Sequence, residues 1–199
     1  MASAVFHAVA ALALGAVFRP GFGPDHPPYK YWVAGVLCSV LPDADGIGFV
    51  FGVPYGSLFG HRGFTHSLLF AALLGAGTAF AIFREDIRSG RGWRIGAYLM
   101  LAAASHGLLD ALTNGGLGVA FFSPFDTTRY FFPFHPVAVS PINPARFLEA
   151  RGLRVLASEC LWIGAPALAL AAGAEGLRRF LRIRGLHPRP GSRADGVRA

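Results

Sequence analysis

The sequence predicts an all-α, polytopic membrane protein with about five membrane helices. Of its 199 residues, 53% are hydrophobic and only 15% are charged, and the mean hydropathy is +0.46. A soluble domain of this composition would have too few polar side chains to cover its surface. The apolar residues also fall in long runs that end at proline, glycine or charged residues, which is typical of membrane helices.

Five apolar runs define the predicted helices. No lysine or arginine precedes Arg19, so the first run lacks the basic start of a cleaved signal peptide. We expect it to be retained, with cleavage as the alternative. The second run should stop at Pro42, because proline disfavours helical geometry in the residue before it. The predicted helices cover residues 3–18, 31–41, 68–83, 95–112 and 156–174.

The segments between these helices differ in composition. Residues 20–28 form a loop rich in glycine and proline, and residues 84–94 form a charged loop. Residues 46–60 are rich in glycine and aromatic side chains without a clear period, so we expect an irregular segment at the membrane interface. The chain therefore divides into a membrane domain, residues 1–177, and a basic, disordered cytoplasmic tail, residues 178–199.

The cysteine and charge patterns exclude two other classes of protein. Cys38 and Cys160 both lie inside apolar runs, so we expect no disulfide framework. The formal net charge is +7, and a strongly basic net charge is typical of proteins that bind nucleic acids. However, membrane topology accounts for the basic residues and the membrane interface accounts for the aromatic ones. We therefore expect no nucleic-acid binding.

The basic residues orient the predicted helices. With five spans, most of the 18 lysine and arginine residues fall on one side of the membrane. The positive-inside rule places that side, with the C-terminus, in the cytoplasm and the N-terminus outside. The outer side carries most of the acidic residues, and its basic residues are Arg62, Arg129, Arg146, Arg151 and Arg154.

Two histidines on this outer side lie in a short polar segment before the third helix. His61 and His66 are five residues apart, a spacing that suits a bent loop better than one helix face. Thr65 and Ser67 have side chains that cap helices, so we expect them to cap the helix that follows. This would place His66 at the N-terminal end of that helix.

Other residues of the metal-binding type lie at similar boundaries. His106 and Asp110 are four residues apart, so both project from one helix face and can bind one divalent ion. Asp43 and Asp45 follow a helix end, where one can bind a metal while the other orients a histidine or binds a second ion. Nitrogen and oxygen ligands suit zinc, with manganese or iron as alternatives. The predicted metal ligands are His7, Asp43, Asp45, His61, His66, His106 and Asp110.

Four charged residues are predicted to take part in catalysis. Arg62 and Arg129 would anchor a phosphate, because a guanidinium group binds phosphate oxygens in a fork. Asp45 and Glu159 would be the carboxylates that accept a proton near the metal. Glu159 could instead be a metal ligand, or simply lie at the membrane interface.

Each of these residues also has a structural alternative. Asp43 and Asp45 could cap a turn, and His106 and Asp110 could form a buried hydrogen-bonded pair. A single histidine such as His7 is more often a packed residue than a ligand. In a membrane span, however, ionisable groups are costly and mark functional sites by default. The cluster as a whole therefore favours a metal site.

Three motifs resemble those of the bacterial inner-membrane metal-dependent hydrolases, the YdjM-like family. They are residues 41–45 (Leu-Pro-Asp-Ala-Asp), 61–69 (His-Arg-Gly-Phe-Thr-His-Ser-Leu-Leu) and 105–113 (Ser-His-Gly-Leu-Leu-Asp-Ala-Leu-Thr). The resemblance runs from His7 to about Glu159. It implies a polytopic membrane protein with hydrolase activity.

The order of the ligands is also similar to that in zinc-dependent phospholipase C and P1 nuclease. This similarity implies a related helical core, with a first metal held by Asp43 or Asp45, His61 or His66, His106 and Asp110. The later, histidine-rich ligand helix of those enzymes has no counterpart in this sequence, so a full three-zinc site is not expected.

The predicted function is a membrane-embedded, metal-dependent hydrolase. Its substrate would be a phosphoester or a phospholipid-type molecule at the outer face, and its partner is the lipid bilayer. Intramembrane histidine and aspartate also mark ion pathways, so a metal transporter or sensor is an alternative. A non-enzymatic membrane protein with a structural metal is the other.

Overall fold

A computed structural model describes residues 1–20, 28–87, 90–140 and 150–184. Within these ranges the chain forms α1 (Ala4–Phe18), α2 (Pro28–Val40), α3 (Leu68–Ile87), α4 (Gly92–Ala111), α5 (Ala150–Glu159) and α6 (Ala165–Ile183). Two 3₁₀ helices, Leu41–Phe51 and Phe64–His66, precede α3, and a π-helical segment, Cys160–Gly164, joins α5 to α6. The predicted all-α membrane fold is confirmed.

Helix α4 is the centre of the bundle. It packs against α1, α2 and α3, and α6 covers the outer side of α1. Tyr98, Leu99 and Ala102 on α4 are fully buried, and they share one apolar core with Tyr31 on α2 and Ala71 on α3. Because other helices surround this face of α4, His106 and Asp110 near its end are buried against protein.

In the described part of the chain, three continuous helical segments are long and apolar enough to cross a membrane. They are Pro28–Phe51, Leu68–Ile87 and Gly152–Ile183, and α1 is apolar but only 15 residues long. The first segment combines α2 with the 3₁₀ helix that follows it. Pro42 ends the α-helix as predicted, but the chain continues as a 3₁₀ helix instead of leaving the bundle.

Several helices are longer than predicted. The backbone leaves helical geometry at Phe83, the predicted end of the third helix, but α3 then resumes to Ile87 and α4 begins at Gly92. Asp86 is buried and pairs with Arg91 at 3.1 Å, so the charges of the predicted loop are accommodated between helix ends. Residues 46–51, expected to be irregular, belong to the first 3₁₀ helix.

The last helix extends beyond its prediction at both ends. It begins at Ala150 and continues to Ile183, so the first part of the predicted tail is helical. Arg178 explains this extension, because its guanidinium donates to the Ala16 carbonyl of α1 and pairs with Glu175. The remainder of the tail, residues 185–199, lies outside the described residues, as do residues 21–27 of the glycine- and proline-rich loop.

Two glycines allow the helices to approach one another closely. A Cβ atom at Gly35 on α2 would lie 1.7 Å from the Tyr98 hydroxyl of α4. A Cβ atom at Gly75 on α3 would lie 2.4 Å from the backbone nitrogen of Met100. Helices α3 and α4 are therefore in backbone contact, which small residues permit at membrane helix interfaces.

We expect Gly75→Ala to destabilise the bundle by about 1–3 kcal/mol, because the added methyl group has to push α3 away from the α4 backbone. Gly77→Ala is the matched control, since nothing lies within 4 Å of a Cβ at that position of the same helix. Denaturant unfolding in detergent micelles, followed by circular dichroism, measures both variants. Equal effects of the two substitutions would contradict this account of the α3–α4 contact.

Candidate metal centre

The predicted metal ligands come together at one end of the bundle. The first 3₁₀ helix carries Asp43 and Asp45 there, and the last turns of α4 carry His106 and Asp110. The second 3₁₀ helix brings His66 between them. The end of this turn is fixed by Ser67, whose hydroxyl accepts a hydrogen bond from the Phe70 amide at 3.1 Å and so caps α3 as predicted.

Four of these side chains converge on one point. The Nε2 atoms of His66 and His106 lie 3.1 Å apart. Asp43 Oδ1 is 3.5 Å from the His66 nitrogen and 3.2 Å from the His106 nitrogen, and Asp110 Oδ2 is 3.7 Å from the His66 nitrogen. All four donor atoms lie within 4.8 Å of one another, and three of the four residues are buried.

Hydrogen bonds fix the orientation of both imidazole rings. The Nδ1 atom of His106 is 2.7 Å from the Ser39 carbonyl oxygen, which can only accept, so this nitrogen carries the proton. The Nδ1 atom of His66 donates to Thr65 Oγ1 at 3.1 Å, because that hydroxyl gives its own proton to Asp45 Oδ2, and Asp45 Oδ2 also lies 3.2 Å from this nitrogen. In the neutral rings, both Nε2 lone pairs then face the same point.

The charges and lone pairs at this centre would suit a bound cation. Two nitrogen lone pairs face each other there, and Asp43 Oδ1 is buried without a well-directed hydrogen bond from any described residue. Burial alone would lower the pKa of His66, but the Asp43 and Asp45 carboxylates outweigh it and raise the pKa to about 9. Without a metal, His66 therefore carries a proton at neutral pH, and a divalent ion would replace that proton.

The donor set and its spacing fit zinc. Tetrahedral coordination with zinc–ligand distances of about 2.0–2.2 Å separates the ligand atoms by about 3.3 Å. The four distances given above range from 3.1 to 3.7 Å. Two imidazole nitrogens and two carboxylate oxygens are zinc ligands, whereas manganese prefers six oxygen-rich ligands. The arrangement therefore fits zinc better than manganese, whereas two imidazoles with a carboxylate are also an iron(II) ligand set, so zinc and iron both remain predictions.

Asp45 orients other groups. Its carboxylate accepts hydrogen bonds from Thr65 Oγ1 at 2.6 Å and from the Arg62 amide at 3.3 Å. It also contacts Nδ1 of His61 at 2.7 Å, in addition to His66. Asp45, His61 and His66 form a second group of possible ligands, but hydrogen bonds already occupy the Asp45 oxygens. Asp43 is therefore the better candidate ligand of the aspartate pair, and Thr65 bonds to Asp45 instead of capping α3 as predicted.

Arg62, predicted to anchor a phosphate, is instead buried among hydrogen-bond acceptors of the protein. Its side chain is 0% exposed, and its Nε atom donates to Asp110 Oδ2 at 2.9 Å. Its two other nitrogens donate to the Gly115 carbonyl and to Thr113 Oγ1. The guanidinium is thus surrounded by protein acceptors and holds Asp110, so it is not open to a substrate.

Arg129 also differs from its predicted role, because it binds backbone carbonyls. Its guanidinium donates to the carbonyl oxygens of Tyr55 and His61 at 2.9 Å and of Ser57 at 3.3 Å. A further, longer contact reaches the Gly118 carbonyl. Arg129 therefore joins two loops above the metal centre.

Two more predicted residues lie beside the cluster and not within it. Glu159 accepts hydrogen bonds from the amide and the hydroxyl of Ser3, so it holds the start of α1. His7 stacks on His106 with ring centroids 3.8 Å apart, and its Nε2 atom is 3.6 Å from Asp110 Oδ1. Neither residue belongs to the two groups of donors found among the described residues.

The sequence interpretation missed Ser39, whose carbonyl orients His106. The sequence feature that could have revealed this role of Ser39 is Pro42. A 3₁₀ helix bonds each carbonyl to the amide three residues later, and proline has no amide hydrogen to donate to Ser39. The Ser39 oxygen is therefore left available to an imidazole from α4.

Comparison with known proteins gives the chain a bacterial membrane context. It matches the model of the YdjM inner membrane protein family over residues 1–179. It is 38% identical to the inner membrane protein YbcI of Escherichia coli K12 over 172 residues, which cover 85% of this chain and 95% of YbcI. It is also 42% identical over 65 residues to YvsG of Bacillus subtilis 168, over 33% of this chain and 36% of YvsG.

No solved structure matches the chain. The comparisons also give no support to the ligand order of phospholipase C and P1 nuclease. The case for a metal therefore depends on the geometry of the four side chains.

We expect the purified protein to hold about one zinc ion per chain. Asp43→Asn should lose it, because the amide removes the charge that binds the metal while keeping the shape of the side chain. Asp126→Asn is the matched control, since Asp126 lies exposed on a loop and outside both donor groups. Elemental analysis of detergent-purified protein measures zinc content, and retention of zinc by Asp43→Asn would contradict this ligand assignment.

Asp45→Asn should weaken zinc binding without abolishing it. An aspartate that orients a ligand typically changes metal affinity by about 10–100-fold. Competition with a fluorescent zinc chelator measures the affinity of this variant against the wild-type protein. A loss as complete as that of Asp43→Asn would show that Asp45 itself binds the metal.

Proposed function

The chain belongs to the YdjM inner membrane protein family, and we propose that it is a metal-dependent hydrolase whose centre is formed by Asp43, His66, His106 and Asp110. One observation carries this proposal. Two oriented imidazole nitrogens meet Asp43 Oδ1, which has no well-directed hydrogen bond from any described residue, in a buried cluster where a divalent ion would replace the proton on His66.

The arrangement of ligands resembles a catalytic site more than a closed structural one. Catalytic zinc commonly has three protein ligands and one open position. Asp110 Oδ2, the fourth donor, is also the most distant, and it is held at 2.9 Å by the Arg62 guanidinium. We infer that Asp43, His66 and His106 bind the metal closely while Arg62 restrains Asp110.

Zinc, when bound, acts as a Lewis acid and lowers the pKa of a coordinated water. The protein contributes orientation and a proton acceptor. Asp45 and the Ser39 carbonyl hold the two imidazoles, so both present Nε2 without rearrangement. His7 is the buried group with both ring nitrogens free of hydrogen bonds among the described residues, and we assign it the transfer of a proton beside Asp110.

The charges favour a substrate with a single negative charge. Asp43, Asp45 and Asp110 supply three carboxylates, and Arg62 is already paired with one of them. Arg129 is bound to backbone carbonyls, so neither predicted arginine is open to a phosphate. A phosphodiester, such as the link in a phospholipid headgroup, fits this balance better than a doubly charged phosphomonoester. We place the site at the outer face by the positive-inside rule.

A structural metal is the second candidate function. Asp43 is the most exposed of the four ligands, and its side chain is only 14% exposed. A centre so closed to solvent would suit a structural metal, one that holds the two 3₁₀ helices against α4. A transporter is less well supported, because the described metal donors gather at one end of the bundle.

We expect zinc-loaded protein in lipid vesicles to cleave a phosphodiester such as bis(p-nitrophenyl) phosphate, and phospholipids, in preference to p-nitrophenyl phosphate. His106→Ala should abolish this activity, since it removes a ligand. His135→Ala should retain it, because His135 is an exposed residue outside both donor groups. A zinc-containing wild-type protein that cleaves none of these compounds would favour the structural metal.

A further inference from the structure

Two loop segments form a cap over the metal centre. They are residues 46–60 and residues 115–134, which follow the Asp45 turn and helix α4. The first segment contains no charged residue and no histidine, and the second contains only Asp126 and Arg129 as charged residues. The cap is therefore far poorer in charge than a water-exposed surface of the same size would be.

The cap is anchored to the centre as one unit. Arg129 from the second segment donates to the Tyr55 and Ser57 carbonyls of the first. The Ala120 amide donates to the Arg62 carbonyl at 3.0 Å, and the Leu68 amide donates to the Phe121 carbonyl at 3.0 Å. The groups that anchor the cap are thus directed inward, toward the metal-binding end of the bundle.

The outer side of the cap is apolar. Phe51 is 77% exposed and Phe125 is 87% exposed. The other large apolar side chains of the cap that are more than half exposed are Ile47, Val50, Phe59, Leu117, Phe122 and Phe134. The anchoring polar groups lie inside and large aromatic rings lie outside, which is the reverse of the usual arrangement in a loop that faces water.

The surface of the cap continues the lipid-facing surface of the bundle. Residues 46–51 form the end of the apolar segment Pro28–Phe51, which is 24 residues long and qualifies as a membrane span. Phe51 therefore extends a surface that already meets the bilayer. Contiguous apolar patches larger than a few hundred Å² are rare on water-exposed surfaces, whereas aromatic rings concentrate at the membrane interface.

We propose that the outer side of this cap is a membrane-contact surface that lies within the lipid leaflet on the side of the metal centre. Phe51 and Phe125 enter the leaflet, and Asp126 with the threonines after it marks the point where the second loop returns to water. This proposal does not depend on the hydrolase function, because it concerns where the cap lies and not what the metal does.

Spin labelling measures this depth directly. In a Cys38→Ala, Cys160→Ala background, single substitutions Phe51→Cys and Phe125→Cys are labelled with a nitroxide in phosphatidylethanolamine–phosphatidylglycerol vesicles. Thr127→Cys is the matched control, an exposed position two residues after Phe125 on the same loop. The expected result is that labels at positions 51 and 125 collide more with oxygen than with a water-soluble nickel chelate, and that the label at position 127 shows the opposite preference.

Two results would overturn the proposal. If the labels at positions 51 and 125 meet the nickel chelate as readily as the label at position 127, the cap lies in water. If they meet neither reagent, another protein surface covers the cap, and the second copy of the chain is the partner present in the sample. Circular dichroism and zinc content confirm that each variant is folded, and no enzymatic activity is needed for the measurement.

Discussion

The constraint behind this structure is the burial of three carboxylates at one end of an apolar bundle. A buried charge is stable only when it is paired or bonded. Asp110 is paired with Arg62, and Asp45 is bonded to His61, Thr65 and His66. To reach Asp110, Arg62 adopts a backbone φ of 62°, which costs a non-glycine residue about 1–3 kcal/mol. Asp43 remains, and its Oδ1 atom, which has no hydrogen-bond partner among the described residues, points to the place of the proposed metal.

The metal centre also holds the bundle together. Its ligands come from two 3₁₀ helices and from α4, and each imidazole is fixed by a second contact from a different element. The cap then closes this end through Arg129, whose hydrogen bonds reach the Tyr55 and His61 carbonyls. Metal affinity, helix packing and the position of the cap are therefore coupled, because a change in one of these elements displaces the others.

Much of the fold and the ligand cluster could be predicted from the sequence, because apolar runs and histidine spacing report helices and their faces. Which of Asp43 and Asp45 is the better candidate ligand could not be predicted from the sequence. They lie two residues apart, and only the 3₁₀ geometry, in which such side chains diverge by about 120°, assigns them different partners. The roles of Arg62, Arg129 and Glu159 were also hidden, because a sequence does not reveal which donors are already bound to carbonyls or amides.

The contact between Ser3 and Glu159 has a consequence for biogenesis. These residues are 156 positions apart, and the Ala2 amide bonds to Asp110 across 108 positions. At 5–20 residues per second, about 8–30 s of synthesis separates the start of α1 from its partner on α5. During that interval α1 is already synthesised, but Ser3 lacks its hydrogen bonds to Glu159. The anchoring of the start of α1 is therefore completed late, because it needs a carboxylate from the last helical segment of the bundle.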